Sequence, residues 1–409
     1  MLMSEKADAE ESEARSHIYL AKEWDNVLDT IRSTVPGFEN FLLPPSCSTL
    51  LQNLPDSGWV IVINVHEDRS DALALRAGLD KPIHIELPGF SPGKADKLRE
   101  NLTKHLVESK LRMREAIVDE DDERGCKPVG SSKGTGIRDV LAYLWKEMMK
   151  PILDALGLSR SPPELPRIWW CATGPLAFLP LHAAGLYEKM NSHTIFDYTI
   201  SSNTPTVTFL TNRVKNTHRA PEDASGLLLV SQPSTPGLSR IPGTTKEVRA
   251  IQTQLATSGV RQFMVLEGAA ATVEDGLKQM ENYSCVHLAC HAIQAKAEPL
   301  QSGFYFQDGT LSLSTIIKKD LKHADLAFLS ACQTSVGEEK LSEEAVHLAG
   351  GMLAAGYRGV VATMWPIRDQ QVPQVAEDFY EYLLAEGGTG INGSRASYAL
   401  HHAIQKWRT

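Results

Sequence analysis

Short apolar runs alternate with amphipathic stretches along most of the chain. Trp59 to Val65 (WVIVINV) is an almost unbroken β-branched run, the pattern of a strand buried on both faces of a parallel sheet. Arg167 to Ala172 (RIWWCA) repeats it after a helical stretch at Ile137 to Leu156. Further strands are predicted at Leu227 to Val230, Phe263 to Leu266, Cys285 to Cys290, Asp325 to Ser330 and Val360 to Met364. Helices are predicted at Thr244 to Leu255, Thr272 to Met280, Ser342 to Ala355, Gln371 to Leu384 and Ser394 to Trp407. Strands alternating with helices imply βαβ units, right-handed crossovers and a parallel sheet covered on both faces. The expected fold class is α/β.

Upstream the pattern changes. Leu20, Trp24, Leu28 and Ile31 recur at helical spacing from His17 onward, until Pro36, Pro44 and Pro45 impose turns. Residues 1–16 are acidic with few large apolar side chains, and a disordered tail is expected there. Ala95 to Ile117 predicts a long amphipathic helix, followed by the acidic run Asp119 to Glu123 and a Gly/Ser/Lys stretch to Gly136. A solvated loop of that kind is open to proteases. The chain is therefore divided into a tail and helical extension over 1–55 and two consecutive α/β units over 56–220 and 221–409. No repeat with a period of roughly 20–50 residues is visible, so no solenoid is expected within it.

Composition narrows the class. With 409 residues, 42% hydrophobic and 22% charged, the chain is that of a globular protein with room for a sizeable core. A net charge of -9, from 41 basic and 50 acidic residues, gives no support for nucleic-acid or anionic-membrane partners. No apolar run approaches the ~20 residues needed to span a bilayer, and Met1 to Arg15 has neither a signal nor a transit pattern. Six scattered cysteines form no disulfide framework, which fits a reducing, cytoplasmic setting.

Two segments carry candidate chemistry: His287-Leu288-Ala289-Cys290-His291 and Leu329-Ser330-Ala331-Cys332-Gln333-Thr334. Each lies at the end of a predicted strand, and reacting groups gather beyond the carboxyl ends of strands in an open parallel sheet. The 41 residues between His291 and Cys332 (332 minus 291) are enough for one crossover to an adjacent strand. An imidazole that takes the thiol proton makes a nucleophile without further help, and strand-end N–H groups can hold an oxyanion. Spacing alone equally allows a buried cysteine and a hydrogen-bonded histidine with no chemical role.

Other signals are weaker. Cys285, His287, Cys290 and His291 spell a metal cluster, but on a strand His287 and His291 stand about 13 Å apart at ~3.3 Å per residue, too far for one ion. Gly130 to Gly134 spells G-x-S-x-G without a preceding strand, and lacks the ending of a phosphate-binding loop. No metal, nucleotide or other cofactor is expected. His182, after a Leu-Pro turn, and His347, in a helix, are expected to be structural.

The ordered blocks resemble a known family. They are Trp169-Trp170-Cys171-Ala172 through Gly174-Pro175-Leu176 to Leu179-Pro180-Leu181-His182, then Ile241-Pro242-Gly243 with Glu247-Val248. The two chemistry-bearing segments follow, and after them Leu348-Ala349-Gly350-Gly351, Ala354-Ala355-Gly356 and Met364-Trp365-Pro366-Ile367-Arg368-Asp369. In this order they resemble the CHAT domain, a protease domain often joined to tetratricopeptide repeats and similar to caspases, separase and gingipains. The resemblance implies a caspase-like three-layer sandwich built from two related α/β units, the second of them catalytic. It implies a cysteine endopeptidase acting on a protein or peptide substrate, with His291 as base, Cys332 as nucleophile, and the backbone N–H groups of Ala292 and Cys332 around the oxyanion. The family usually has glycine after the base histidine, and alanine tolerates positive φ poorly. A catalytically silent scaffold is therefore the alternative. Asp369 matches the separase stretch that pairs with a basic P1 side chain, although it equally suits the cap of the helix beginning near Gln370. A regulatory sensor or repeat-domain partner, and latency until that partner binds, are also implied by the family.

Overall fold

The computed structural model describes residues 2–108, 136–188, 192–215, 226–260, 262–295, 298–319, 321–330, 344–365, 372–385 and 390–408. Side chains are described from Arg15 onward, those of 344–347 and 372 excepted. The chain forms two compact units, residues 1–52 and 53–409.

The first unit is helical. Helix α1 (Leu2–Thr34) covers the periodic stretch and also residues 2–16, where a disordered tail was expected. The reason is composition: the Glu, Lys and Ala that leave this segment unable to build a core are also strong helix formers. Beyond α1 the Arg32 Nε–H donates to the Phe41 carbonyl at 2.9 Å, closing the turn made by Pro36 and Gly37. Ser46 then starts α2 (Cys47–Gln52), its Oγ accepting from the Thr49 N–H at 3.2 Å.

The second unit opens with β1 (Trp59–Val65), β2 (Ser70–Leu75) and β3 (Ile83–Glu86), followed by α3 (Pro92–Glu108). The remainder of the helix predicted to Ile117, and the acidic run after it, lie outside the described residues. Helices α4 (Ile137–Leu144) and α5 (Lys150–Ala155) are the two ends of the predicted helix at Ile137 to Leu156, joined by a π-helical turn at Trp145–Met149. Strand β4 (Arg167–Ala172), the short hairpin β5 (Gly185–Leu186) and β6 (His193–Thr194), β7 (Ile200–Asn203) and α6 (Val207–Lys215) complete this part.

The first sheet runs β3-β2-β1-β4-β7. The pairs β1–β4 and β4–β7 are parallel, as the alternation implied, but β1–β2 and β2–β3 are antiparallel. Only residues 66–69 separate β1 from β2, and a crossover to a parallel neighbour needs roughly a dozen or more. The sheet is thus mixed rather than wholly parallel. On one face Ile61, Ile63, Ala72, Ala74, Ile168 and Trp170 pack against α3, α4 and α5.

The second sheet is wholly parallel. It contains β8 (Leu227–Ser231), β9 (Phe263–Glu267), β10 (Cys285–Ala289), β14 (Leu326–Leu329) and β15 (Gly359–Ala362), in the order β15-β14-β10-β8-β9. Its crossovers carry α7 (Gly243–Ser258), α8 (Val273–Asn282), α9 (Leu313–Ile317) and α10 (Glu344–Ala354), and α11 (Val372–Ala385) and α12 (Ala396–Arg408) follow β15. The period-two alternation of strand side chains separates two cores. Leu228, Val230, Val286, Leu288, Ala327 and Leu329 join Met280, Leu313 and Met352 on the face of α8, α9 and α10. Leu227, Leu229, Cys285, Ala289, Leu326 and Phe328 join Val248, Phe379 and Ala403 on the face of α7, α11 and α12. Helices on both faces make this half a three-layer α/β sandwich.

One small sheet was not visible in the sequence. Between β10 and β14, β11 (Ala292–Ile293), β12 (Gly303–Tyr305) and β13 (Thr310–Ser312) form an antiparallel meander. Gly303 permits it, because a Cβ there would stand 2.3 Å from the Leu311 carbonyl oxygen.

A half-buried ring contact sets an acid response. His401 on α12 stacks on Phe196, with ring centroids 3.7 Å apart and planes 4° from parallel. Burial, helped by the Arg408 charge, lowers the His401 pKa from the usual 6.5 to about 4. Between those values the unfolded chain binds a proton that the folded chain refuses. The stability of the neutral stack is therefore complete above the unfolded pKa and is lost as pH falls from about 6.5 to about 4. His401→Phe keeps a stacked ring without the titration. Its thermal midpoint should fall less steeply than that of the wild type across this window; an identical slope would contradict the account.

Candidate functional site

Three neighbouring strands, β8, β10 and β14, send their following loops out at one edge of the second sheet. The register is level: Leu288 on β10 pairs with Leu329 on β14 and with Val230 on β8. His291 follows β10 by two residues. In sequence Cys332 follows Leu329 by three, but Cys332 and Asp369 lie outside the described residues. The structure thus brings together the strand ends from which His291 and Cys332 depart, and describes one of the two side chains.

His291 is buried, and its Nε2 lies 2.7 Å from the Ser239 carbonyl oxygen in the loop after β8. A carbonyl only accepts, so Nε2 carries the ring proton and Nδ1 keeps a lone pair. That Nδ1 is buried with no hydrogen-bond partner among the described residues. An imidazole fixed at one nitrogen with a free lone pair at the other is equipped to take a proton.

Ala292 opens β11 and pairs with Phe304. The Tyr305 N–H donates to the His291 carbonyl at 2.8 Å, which fixes β12 beside the residue that precedes Ala292. Among the described non-glycine residues, positive φ occurs at Leu42 and Ser161. Ala292 therefore needs no left-handed backbone, and the concern that alanine would strain this position does not apply to the conformation described.

A second set of buried polar groups stands behind this edge. His287 on β10 stacks on Phe328 at 4.8 Å, and its Nδ1 is 3.2 Å from the Tyr380 hydroxyl on α11. Its Nε2 faces Glu247 Oε1 on α7 at 3.1 Å, off the line of a good hydrogen bond. The Ser330 hydroxyl donates to the other oxygen, Oε2, at 2.8 Å. His287 is wholly buried and Glu247 nearly so. In the sequence Glu247 stands in the block Glu247-Val248 that resembles the family, with no role expected of it. The signal was present: Thr244, Glu247, Val248, Ile251 and Leu255 share the buried face of α7, and a carboxylate on such a face calls for partners.

Cys285 and Cys290, on and just after β10, make poor rivals. Burial raises the Cys290 thiol to about 12 and Cys285 further, so neither supplies a thiolate near neutral pH. Burial lowers the His182 pKa. Among the described residues no three His, Cys, Asp or Glu side chains form a metal-holding group.

A sequence model of the CHAT domain matches residues 138–409, well over half of the chain. The chain belongs to the CHAT-domain family. The match takes in β4 and β7 of the first sheet and all of the second. Among solved structures the CHAT chain is similar to the crystal structure of the Arg-specific cysteine proteinase gingipain R, at 9% identity over 59% of this chain and 59% of that chain, with a TM-score of 0.39. It is similar also to the complex of Porphyromonas gingivalis RgpB pro- and mature domains, at 9% identity over 67% of this chain and 64% of that one, again with a TM-score of 0.39. The chain thus spans less than two thirds of the length of either gingipain chain. No curated protein sequence matches it. Among the described residues no helix is long and apolar enough to cross a membrane.

Proposed function

We propose that this CHAT chain is a cysteine endopeptidase in which His291 is the base and Cys332 the nucleophile. The observation that carries the reading is His291 itself, held at the shared edge of β10 and β14 with Nε2 bonded to the Ser239 carbonyl and Nδ1 unpartnered among the described residues. Nδ1 takes the proton from the Cys332 thiol, and the thiolate attacks the carbonyl carbon of a peptide bond. The backbone N–H groups of Ala292 and Cys332 receive the oxyanion. The imidazolium then protonates the leaving amine as the C–N bond breaks, leaving an acyl-enzyme. Water, deprotonated by Nδ1, attacks the thioester carbonyl, and the C–S bond breaks to release the acid and the Cys332 thiolate. No cofactor enters the cycle.

Asp369 is proposed to pair with a basic P1 side chain through charge-assisted hydrogen bonds. The substrate is a protein or peptide, and a sensor or repeat-domain partner is proposed to relieve latency in a reducing, cytoplasmic setting. The four cysteines described as free thiols, Cys47, Cys171, Cys285 and Cys290, agree with that setting. The rival function is an inactive CHAT scaffold that signals through partner contacts, and it drew on Ala292. Ala292 is not among the described non-glycine residues with positive φ, which supports the active reading over the scaffold.

One profiling experiment tests these assignments. A peptide library is offered to wild type, Cys332→Ala and Asp369→Ala. Cleavage should vanish in Cys332→Ala and lose its Arg/Lys preference at P1 in Asp369→Ala. Persistent cleavage without Cys332 overturns the nucleophile, and an unchanged P1 profile removes Asp369 from the pocket.

A further inference from the structure

Glu247 is a carboxylate inside a helix–sheet interface, where burying it without partners would cost several kcal/mol. Its two oxygens face different strands. Oε1 meets His287, in the middle of β10, and Oε2 accepts from Ser330, the residue directly after β14. Helix α7, which carries Glu247, begins after the loop that contains Ser239, the partner of His291. The same short stretch of chain, Ser239 to Glu247, therefore holds the segment after β10 at one end and the segment after β14 at the other.

With the Tyr380 hydroxyl donating to His287 Nδ1 the ring proton lies at Nε2, on the side of Glu247 Oε1 at 3.1 Å but off the line of a good hydrogen bond, while the Ser330 hydroxyl donates to Oε2. Stacking on Phe328 and contact with Tyr380 fix the plane of the His287 ring, so the carboxylate meets a rigid partner. Ser330 lies two residues before Cys332 in sequence. A hydroxyl tied to a rigid buried acid fixes the backbone from which the chain runs on to the thiol.

We infer that Glu247 is a positioning residue, a buried strut that ties the end of β14 through Ser330 to β10 through His287 and so sets where the chain leading to Cys332 starts. The inference rests on the proposed dyad. Glu247 touches no substrate, and its contribution belongs in kcat rather than KM, because misplacing a reacting group by even ~1 Å from a distance costs up to about a hundredfold in rate.

The test compares Ser330→Ala, Glu247→Ala and Glu247→Gln with wild type in peptide turnover per folded molecule, with Cys332→Ala in the same assay. Ser330→Ala removes one hydroxyl and guards against a Glu247→Ala protein that fails to fold. It and Glu247→Ala should each lower kcat by about tenfold or more with KM unmoved. The double variant should lose little beyond the larger single loss, since both act through one contact. Glu247→Gln should recover most of the rate: its amide oxygen still accepts from Ser330, and its N–H donates to His287 once the ring proton moves to Nδ1. A Ser330→Ala enzyme with normal kcat, or a Glu247→Gln enzyme as slow as Glu247→Ala, would overturn the strut. Turnover that survives in Cys332→Ala would instead overturn the dyad, so the two failures are distinct. The rate at which iodoacetamide modifies Cys332, followed by peptide mapping, gives the same comparison without turnover.

Discussion

Replacing His291 with alanine should lower peptide turnover by roughly a hundredfold to ten-thousandfold, the range that a positioned general base supplies. The loss should appear in kcat and persist at saturating substrate. The fold should survive, because the His291 side chain makes one described hydrogen bond, to the Ser239 carbonyl. Removing it leaves a carbonyl short of one partner, a cost of about 1–3 kcal/mol against a large core. Asparagine at 291 sharpens the test. It can restore a donor to Ser239 but offers no titrating lone pair, so His291→Asn should be as inactive as His291→Ala while unfolding at a denaturant concentration closer to wild type. Kinetics and urea unfolding on the two variants separate proton transfer from packing. A His291→Ala enzyme with kcat within a few-fold of wild type would remove the base.

The second large effect is on stability. Phe379 on α11 is fully buried, packed edge-on against Phe328 of β14 at 5.0 Å and against Tyr380 at 5.2 Å. It joins α11 to the strand whose end leads to Ser330. Phe379→Ala should cost about 3–5 kcal/mol, the transfer term of the ring plus the cavity it leaves. Helix α11 also packs against α7 and α12, so the cavity has rigid walls on several sides and little freedom to collapse. The urea midpoint should drop with the slope unchanged, and Phe379→Leu should recover more than half of the loss. A shift below about 1 kcal/mol would mean that α11 is not part of the core that holds the site.

Much of this was legible in the sequence. The second sheet came through as bare β-branched and aliphatic runs, since a parallel strand is covered on both faces and has no polar alternation to confuse it. Trp59 to Val65 and Arg167 to Ala172 were found to the residue. What stayed hidden was short or locally ambiguous. Ser70–Leu75 alternates Asp, Ala and Leu, too brief to tell from a turn, and its partner Ile83–Glu86 has four residues. The meander of β11, β12 and β13 has strands of two or three residues, below the length at which periodicity speaks. Helix α1 reached further than expected because charge-rich composition argues equally for a solvated helix and for disorder.

At the site the same division holds. His291 and Ala292 were visible from their place after a strand, but the Ser239 carbonyl that fixes the imidazole belongs to no motif, since any residue supplies one. Glu247 was visible in principle as a charge on the buried face of α7. His287 was noted as a member of the motif, and only packing shows that it faces Glu247 and Tyr380 while His291 faces Ser239.

The most direct measurement of the central claim is a covalent one. Wild type, His291→Ala and Cys332→Ala are each treated with a peptide bearing a thiol-reactive warhead, and the modified residue is located by peptide mapping. The account predicts an adduct on Cys332 in wild type, a strong slowing of that adduct in His291→Ala, and none in Cys332→Ala. A peptide that leaves Cys332 untouched in wild type, or that modifies it equally fast without His291, would contradict it.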